Sequence, residues 1–172
     1  AHDCVYEIGV KLGHVLWRKL FPSERDKADN GLISTCYELI ESGRYALAIT
    51  LLDFACNDLK SHANEAAKLS LVVNRAQAYK WSGDLDRCKK IMESVDWSAK
   101  GDQFRLADAV LKEDWDGAAK IMKRIGSDGF VSALNYRDWP LFKEFRKQDA
   151  FRETYRQTFG VDFSSRSEKA QE

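Results

Sequence analysis

Apolar residues recur along this chain at helical spacing, in blocks separated by short polar breaks. The best-formed block runs over 30–55. Leu32, Ile33, Cys36, Leu39 and Ile40 share one stripe, and Tyr45, Ala48, Ile49, Leu52 and Ala55 share a second, with Ser42-Gly43 between them. Steps of three and four residues put each set on one face of a helix. Glycine at the break opposes no left-handed turn, because it has no Cβ. The block therefore predicts two helices hinged at Gly43.

The same logic extends in both directions. Val5, Ile8, Leu12, Val15, Leu16 and Leu20 predict an amphipathic N-terminal helix with that stripe as the face to bury. Phe21-Pro22-Ser23 interrupts it, since the residue before proline disfavours helical geometry. Pro22 and Glu24 suit the first turn of the next helix, which runs to Ser42 with Gly31 as a weak internal point. The second arm of the hairpin covers 44–61, and His62-Ala63-Asn64 is a break. A helix over 65–81 leads to Ser82-Gly83-Asp84, and Leu85, Cys88, Ile91, Met92 and Val95 form its second arm. A helix over 104–112 is followed by another arm through Trp115, Ala118, Ile121, Met122 and Ile125, closed by Gly126. Beyond it, Phe130, Val131 and Leu134 predict a short helix ending near Asn135. Asp138 is placed as the N-cap of a helix through Trp139, Pro140, Phe142 and Phe145. A last helix covers 150–159, stopped by Gly160. Residues 164–172 are polar and predicted disordered.

Aligning the hinges exposes a repeat. The segments 41–48, 81–88 and 111–118 each place a large apolar residue two positions after the hinge (Tyr45, Leu85, Trp115) and a small one five positions after it (Ala48, Cys88, Ala118). The large residue is expected to plug the space between two helices, and the small one to let them approach. Hinge-to-hinge spacings are 40 and 30 residues. Units of this size cannot bury an apolar face alone, so stacked copies share a core. The pattern resembles the tetratricopeptide repeat, carried by Gly43, Tyr45, Ala48 and Ala55 in the first copy, Ala76, Tyr79, Gly83 and Cys88 in the second, and Trp115 and Ala118 in the third. The closing segment around Trp139-Pro140-Leu141-Phe142, Phe151 and Phe159-Gly160 resembles an aromatic cap over the last repeat in bacterial proteins of this kind. The resemblance implies an all-α, right-handed α-α superhelix of antiparallel helix pairs. It implies one domain over 1–163, made of an N-terminal helix and lead-in (1–28), about three degenerate hairpin repeats (29–126) and capping helices (127–163).

Composition agrees with a globular helical chain. Of 172 residues, 44% are hydrophobic and 31% charged, with only 2 Pro and 10 Gly. Lys plus Arg equals Asp plus Glu at 27 each, which removes any bulk electrostatic drive toward nucleic acid or anionic membrane. No apolar run is long enough to span a bilayer. The cysteines, Cys4, Cys36, Cys56 and Cys88, are too far apart for a metal knuckle, and three lie in helical apolar patterns. They read as buried free thiols in a reducing cytoplasm. The chain opens at Ala1 inside a helical pattern, which suggests a piece of a larger protein.

Candidate chemistry is sparse. The pairs Asp84/Asp86 and Asp114/Asp116 follow hinges, where aspartate caps helices, so they read as caps rather than a metal site. His2, His14 and His62 form no ligand spacing, and no phosphate-cradling glycine loop, nucleophile elbow or zinc-protease motif occurs. The expectation is a non-enzymatic module with no catalytic, cofactor or metal residues. By the resemblance, first-arm helices line a groove, whose residues by register are Asn30, Tyr37, Glu41, Asn74, Gln77, Lys80 and Trp81. Trp81 stands outside the Val72/Ala76/Tyr79 stripe, while Trp17, Trp97, Trp115 and Trp139 are expected to pack between helices. A mixed polar and aromatic groove suits a peptide or partner helix, giving a recognition, scaffolding or oligomerisation domain of a larger bacterial protein. The alternative is nucleic-acid binding by the C-terminal helices, where Arg137, Lys143, Arg146, Lys147, Arg152 and Arg156 interleave with Phe142, Phe145, Phe151 and Tyr155.

Overall fold

The structure, a computed structural model, describes residues 15–59 and 61–164. The expected tail beyond 164, and His2, Cys4 and His14, lie outside these. The described residues form helices and turns, with no strand among them. Packing divides into two compact units, Ala1–Ile91 and Met92–Glu172.

In the first unit, α1 (helical over described residues 15–19) precedes α2 (Pro22–Glu41), α3 (Tyr45–Asp53) and α4 (Glu65–Ser82). Pro22 occupies the first helical position of α2, where its missing N–H has no partner to lose. Glu24 reaches back to accept the Phe21 N–H at 2.8 Å. α3 packs against α2, and α4 packs against both. Their shared core centres on Cys36, Ile40, Ala48, Leu52, Ala55 and Leu71, all at most 2% exposed. The arm expected over 44–61 is not one continuous α-helix. After Asp53 it widens into a single π-helical turn, Phe54–Asp58, closed by Leu59 N–H to Phe54 carbonyl at 3.2 Å. Of the N-terminal stripe, Val5, Ile8 and Leu12 lie outside the described residues, and Val15 and Leu16 do not sit as expected. Val15 and Leu16 are 51% and 64% exposed, while Trp17 next to them is buried. The indole decides the orientation, because Trp17 Nε1 finds the Ser61 carbonyl at 2.6 Å and its ring meets His62 edge-on.

α5 (Leu85–Glu93) follows the second hinge. The second unit holds α6 (Asp102–Leu111), α7 (Trp115–Ile125), α8 (Ala133–Asp138) and α9 (Asp149–Phe159). α7 packs against both α6 and α9. Arg124 grips Asp102 with two hydrogen bonds, 2.6 and 2.8 Å, joining the end of α7 to the start of α6. Aromatic rings fill the C-terminal part. Trp115 stacks on Phe145 at 5.8 Å, and Tyr136, Phe142, Phe151, Tyr155, Phe159 and Phe163 make successive ring contacts.

The region 130–147 departs from the sequence reading. The short helix is α8, which starts three residues later than Phe130 and is capped by Ser132, whose N–H and hydroxyl both bond the Asn135 side chain. Asp138 ends this helix instead of capping the next, and its carboxylate is taken by Arg137 at 2.9 and 3.0 Å. The chain then makes two 3₁₀ turns, Pro140–Phe142 and Phe145–Lys147, and not an α-helix. Leu141, Phe142 and Phe145 all turn inward from these turns.

The three hinges have one backbone geometry. Gly43, Gly83 and Glu113 all adopt positive φ, at +74°, +93° and +62°. In each, the hinge N–H bonds the carbonyl three residues back, to Ile40, Lys80 and Val110. The following N–H bonds the carbonyl five back, to Leu39, Tyr79 and Ala109, at 2.8 to 3.0 Å. These are Schellman closures. The small residues after the hinges are buried as expected: Ala48 0%, Cys88 5% and Ala118 0%. The large ones diverge. Tyr45 and Trp115 are half-buried, but Leu85 is 61% exposed and plugs nothing. Asp84 and Asp114 cap as predicted, accepting the N–H of Arg87 and Gly117 at 3.0 Å each.

Candidate functional site

The seven positions assigned to a groove do not share one environment. On α2, Asn30 and Glu41 are exposed and Tyr37 half-buried, and Asn30 donates to Asp26 at 3.3 Å. On α4, Asn74 is half-buried, but Gln77 is 3% and Lys80 8% exposed. Residues 76–80 are buried at five consecutive positions, more than one full helical turn, so α4 has no open face at that level. Gln77 and Lys80 are therefore corrected from groove-lining to interior positions. Trp81 is half-buried and packs against the first unit's core, with Lys80 Nζ 5.7 Å from its ring centre.

Two polar networks tie the first unit together. Asp29, fully buried, accepts from the Ala63 N–H at 2.7 Å and pairs with His62 Nδ1 at 2.9 Å, locking the α3–α4 connection onto α2. Asp53 receives Arg75 at 2.6 Å and the Tyr79 hydroxyl at 2.7 Å, and Arg87 reaches that hydroxyl at 3.2 Å. Burial and the bond to Asp53 raise the Tyr79 pKa, which keeps it a donor. Each partner here is satisfied by another side chain, so both networks read as structural fastenings. Among the described residues, no group of three His, Cys, Asp or Glu side chains could hold a metal ion. No helix among them is long and apolar enough to cross a membrane.

The second unit contains an open cleft of about 580 Å³. One wall is the turn 92–98, braced by Trp97 Nε1 donating to the Met92 carbonyl at 2.6 Å. The other is a stripe along α6, Arg105, Asp108, Ala109 and Lys112, with Asp114 and Ile121 beside it. Steps of three and four residues align that stripe on one helix face. Lys112 Nζ lies 2.8 Å from Asp108 Oδ1 and 3.0 Å from Oδ2. Lys112 thus pairs with both oxygens of this carboxylate. Asp96 accepts both the N–H and hydroxyl of Ser98, at 3.0 and 2.6 Å, which holds its carboxyl below the ordinary value and so ionised.

This stripe is absent from the groove expected by register, although the hinge alignment contains the signal for it. Adding the 30-residue hinge spacing maps Asn74, Gln77, Lys80 and Trp81 onto Phe104, Ala107, Val110 and Leu111. Three of those four are buried apolar residues. The open face of α6 lies one position further round, at Arg105, Asp108 and Lys112, whereas α4 has no matching open face, because Ala78, one position beyond Gln77, is itself fully buried.

The four aromatic residues that interleave with the basic C-terminal positions face inward. Phe142, Phe145, Phe151 and Tyr155 are at most 7% exposed, Lys147 is paired with Glu144, and Arg146 donates to the Tyr136 and Trp139 carbonyls. No protein family, curated protein or solved structure matches the chain.

Proposed function

We propose that this chain is an interaction module that holds a segment of another protein in the cleft of its second unit, as a recognition or scaffolding part of a larger protein. The observation that carries this reading is the α6 stripe. A helix that buries Leu106, Ala107, Val110 and Leu111 presents Arg105, Asp108 and Lys112 to a cleft large enough for several side chains. Polar groups placed to orient a ligand, beside apolar Val95 and Ile121, are the composition of a recognition surface. The same reading takes α2 to α7 as three copies of a tetratricopeptide-like unit. The shared hinge geometry supports it, as does a cleft on the first-arm helix of the third copy.

The test is to pan a displayed random-peptide library against the purified chain, with a Ser98→Cys form carrying a bulky maleimide as the blocked control. Ser98 is exposed at the cleft wall, so the adduct occludes the site without entering the core. A convergent peptide sequence, bound by the free protein and lost on the blocked form, is expected. Convergent peptides that bind the blocked form equally well would move the site elsewhere. Absence of convergence, together with steeply salt-dependent oligonucleotide binding, would replace this reading by nucleic-acid recognition.

A further inference from the structure

One face of α1 is turned outward by the contacts that fix the opposite one. Trp17 is held inside by its bond to the Ser61 carbonyl, and Leu20 packs against the first unit's core. Arg25 donates to the Leu20 carbonyl at 3.3 Å, bracing the end of α1. At about 100° per residue, Arg18, Val15, Lys19 and Leu16 then follow one another around the outer half of the helix. All four are exposed. Phe21, at the corner into α2, is 71% exposed.

Charge here departs from the zero balance of the whole chain. Between Glu7 and Glu24 the sequence holds no acid, against Lys11, Arg18 and Lys19. Glu24 is itself turned onto the Phe21 N–H at 2.8 Å. The sequence carries the pattern further back. Ile8 and Leu12, outside the described residues, stand seven and three positions before Val15, and Lys11 stands seven before Arg18. Those steps assign them by spacing to the same face. A basic and apolar surface without acids complements an anionic one.

The order of side chains around α1 selects among anionic partners. A partner helix needs a dry apolar seam, and here Lys19 lies between Val15 and Leu16. Packing against protein would bury that ammonium, which is costly unless a carboxylate meets it. A second copy of this chain brings the same cations to the contact. A lipid surface accepts the arrangement: apolar side chains enter the acyl boundary, while Arg18 and Lys19 reach phosphates along their flexible stems.

We infer that the outer face of α1, with Phe21, docks the first unit on an anionic membrane surface. Val15, Leu16 and Phe21 enter the headgroup layer, and Arg18 and Lys19 meet lipid phosphates. The contact lies in the plane of the interface and needs no spanning helix. It is independent of the cleft in the second unit.

Flotation of the purified chain with phosphatidylcholine vesicles, with and without phosphatidylglycerol, tests this. Binding to the phosphatidylglycerol vesicles is expected, falling as salt rises, with little to phosphatidylcholine alone. Arg18→Gln combined with Lys19→Gln should weaken it roughly 25-fold, about fivefold for each basic residue near the surface. Phe21→Ser should weaken it about tenfold by removing one apolar side chain from the interface. These positions are exposed, so urea midpoints should stay close to that of the parent chain. Ser23→Lys, at the exposed start of α2, should tighten binding about fivefold, a gain that damaged folding cannot produce. No binding to the anionic vesicles, equal binding to both vesicle types, or indifference to all three variants overturns the inference. So does capture of a fluorescein-labelled acidic amphipathic helical peptide by a chain that ignores the vesicles, which would make the occupant a protein.

Discussion

Glu113 is the one non-glycine residue with positive φ among the described residues, and it sits where the other two hinges carry glycine. An L-side chain in the left-handed region costs about 1–2 kcal/mol, because Cβ crowds the following carbonyl oxygen. Glycine relieves that cost but widens the unfolded ensemble, which takes back about 0.4–1 kcal/mol. With central values, Glu113→Gly should be roughly 0.8 kcal/mol more stable than Glu113→Ala. The alanine variant is the proper reference, because both substitutions remove the same exposed carboxylate and its surface interactions. At an ordinary right-handed helical position the order is reversed, with alanine better than glycine by about 0.5–1 kcal/mol. The sign of the difference therefore reports the hinge backbone directly. Gly83→Ala supplies the mirror experiment. A Cβ added at Gly83 meets no heavy atom within 4 Å, so sterics contribute nothing and only the backbone conformation is tested. That variant should lose roughly 0.8 kcal/mol, by the same arithmetic with opposite sign. Urea unfolding with midpoints and slopes compared across the four proteins measures these differences. If Glu113→Ala is as stable as Glu113→Gly or more so, the third hinge is not left-handed and the three-copy comparison breaks.

Buried and paired groups give three further expected outcomes. Tyr136 is fully buried and its hydroxyl has no hydrogen-bond partner, so Tyr136→Phe should raise stability by about 1 kcal/mol in thermal or urea melts, the low end of an unsatisfied buried donor; a loss of similar size would show that the hydroxyl is satisfied. Burial pushes the Cys36 and Cys56 thiols up to about 11 from 9.0, so near neutral pH the native protein should hold ~100-fold less thiolate at these sites than the unfolded chain. Iodoacetamide labelling followed by mass spectrometry should be correspondingly slow until the protein unfolds, and rapid native labelling would contradict the placement of Cys36 in the core and of Cys56 against it. Arg124 holds the Asp102 carboxyl below its ordinary value. A carboxyl lowered by folding stabilises above its unfolded value and loses that contribution as pH falls through the folded one. Asp102→Asn should therefore cost stability at neutral pH and flatten the decline on the acid side, and an unchanged acid limb would show that the pair contributes nothing.

Helices were legible wherever their determinants are local. Pro22 starts α2 because proline fixes φ and lacks only an N–H that the first turn leaves unused. Gly43, Gly83 and Gly160 end helices because their own backbone freedom suffices. Asp84 and Asp114 cap because the N–H they satisfy lies three residues away. The segment 130–147 was misread for the opposite reason. Its apolar residues, Val131, Leu141, Phe142 and Phe145, are set by the aromatic cluster they enter, which also draws on Trp115 and Phe151. Within four residues, nothing distinguishes a 3₁₀ turn there from the start of a helix.

The sequence by itself therefore determined an all-helical chain, the hinges at Gly43 and Gly83, the caps and the small residues that allow close approach. Each depends on steric and hydrogen-bonding preferences that act over one helical turn. Tertiary structure alone decided which faces those helices would cover. It made Glu113 left-handed without a glycine, paired Asp29 with His62 across 33 positions, and turned Gln77 and Lys80 inward. It also opened the face of Arg105, Asp108 and Lys112. A helix carries several polar and apolar faces at once, and only the neighbours that pack against it determine which one remains in water.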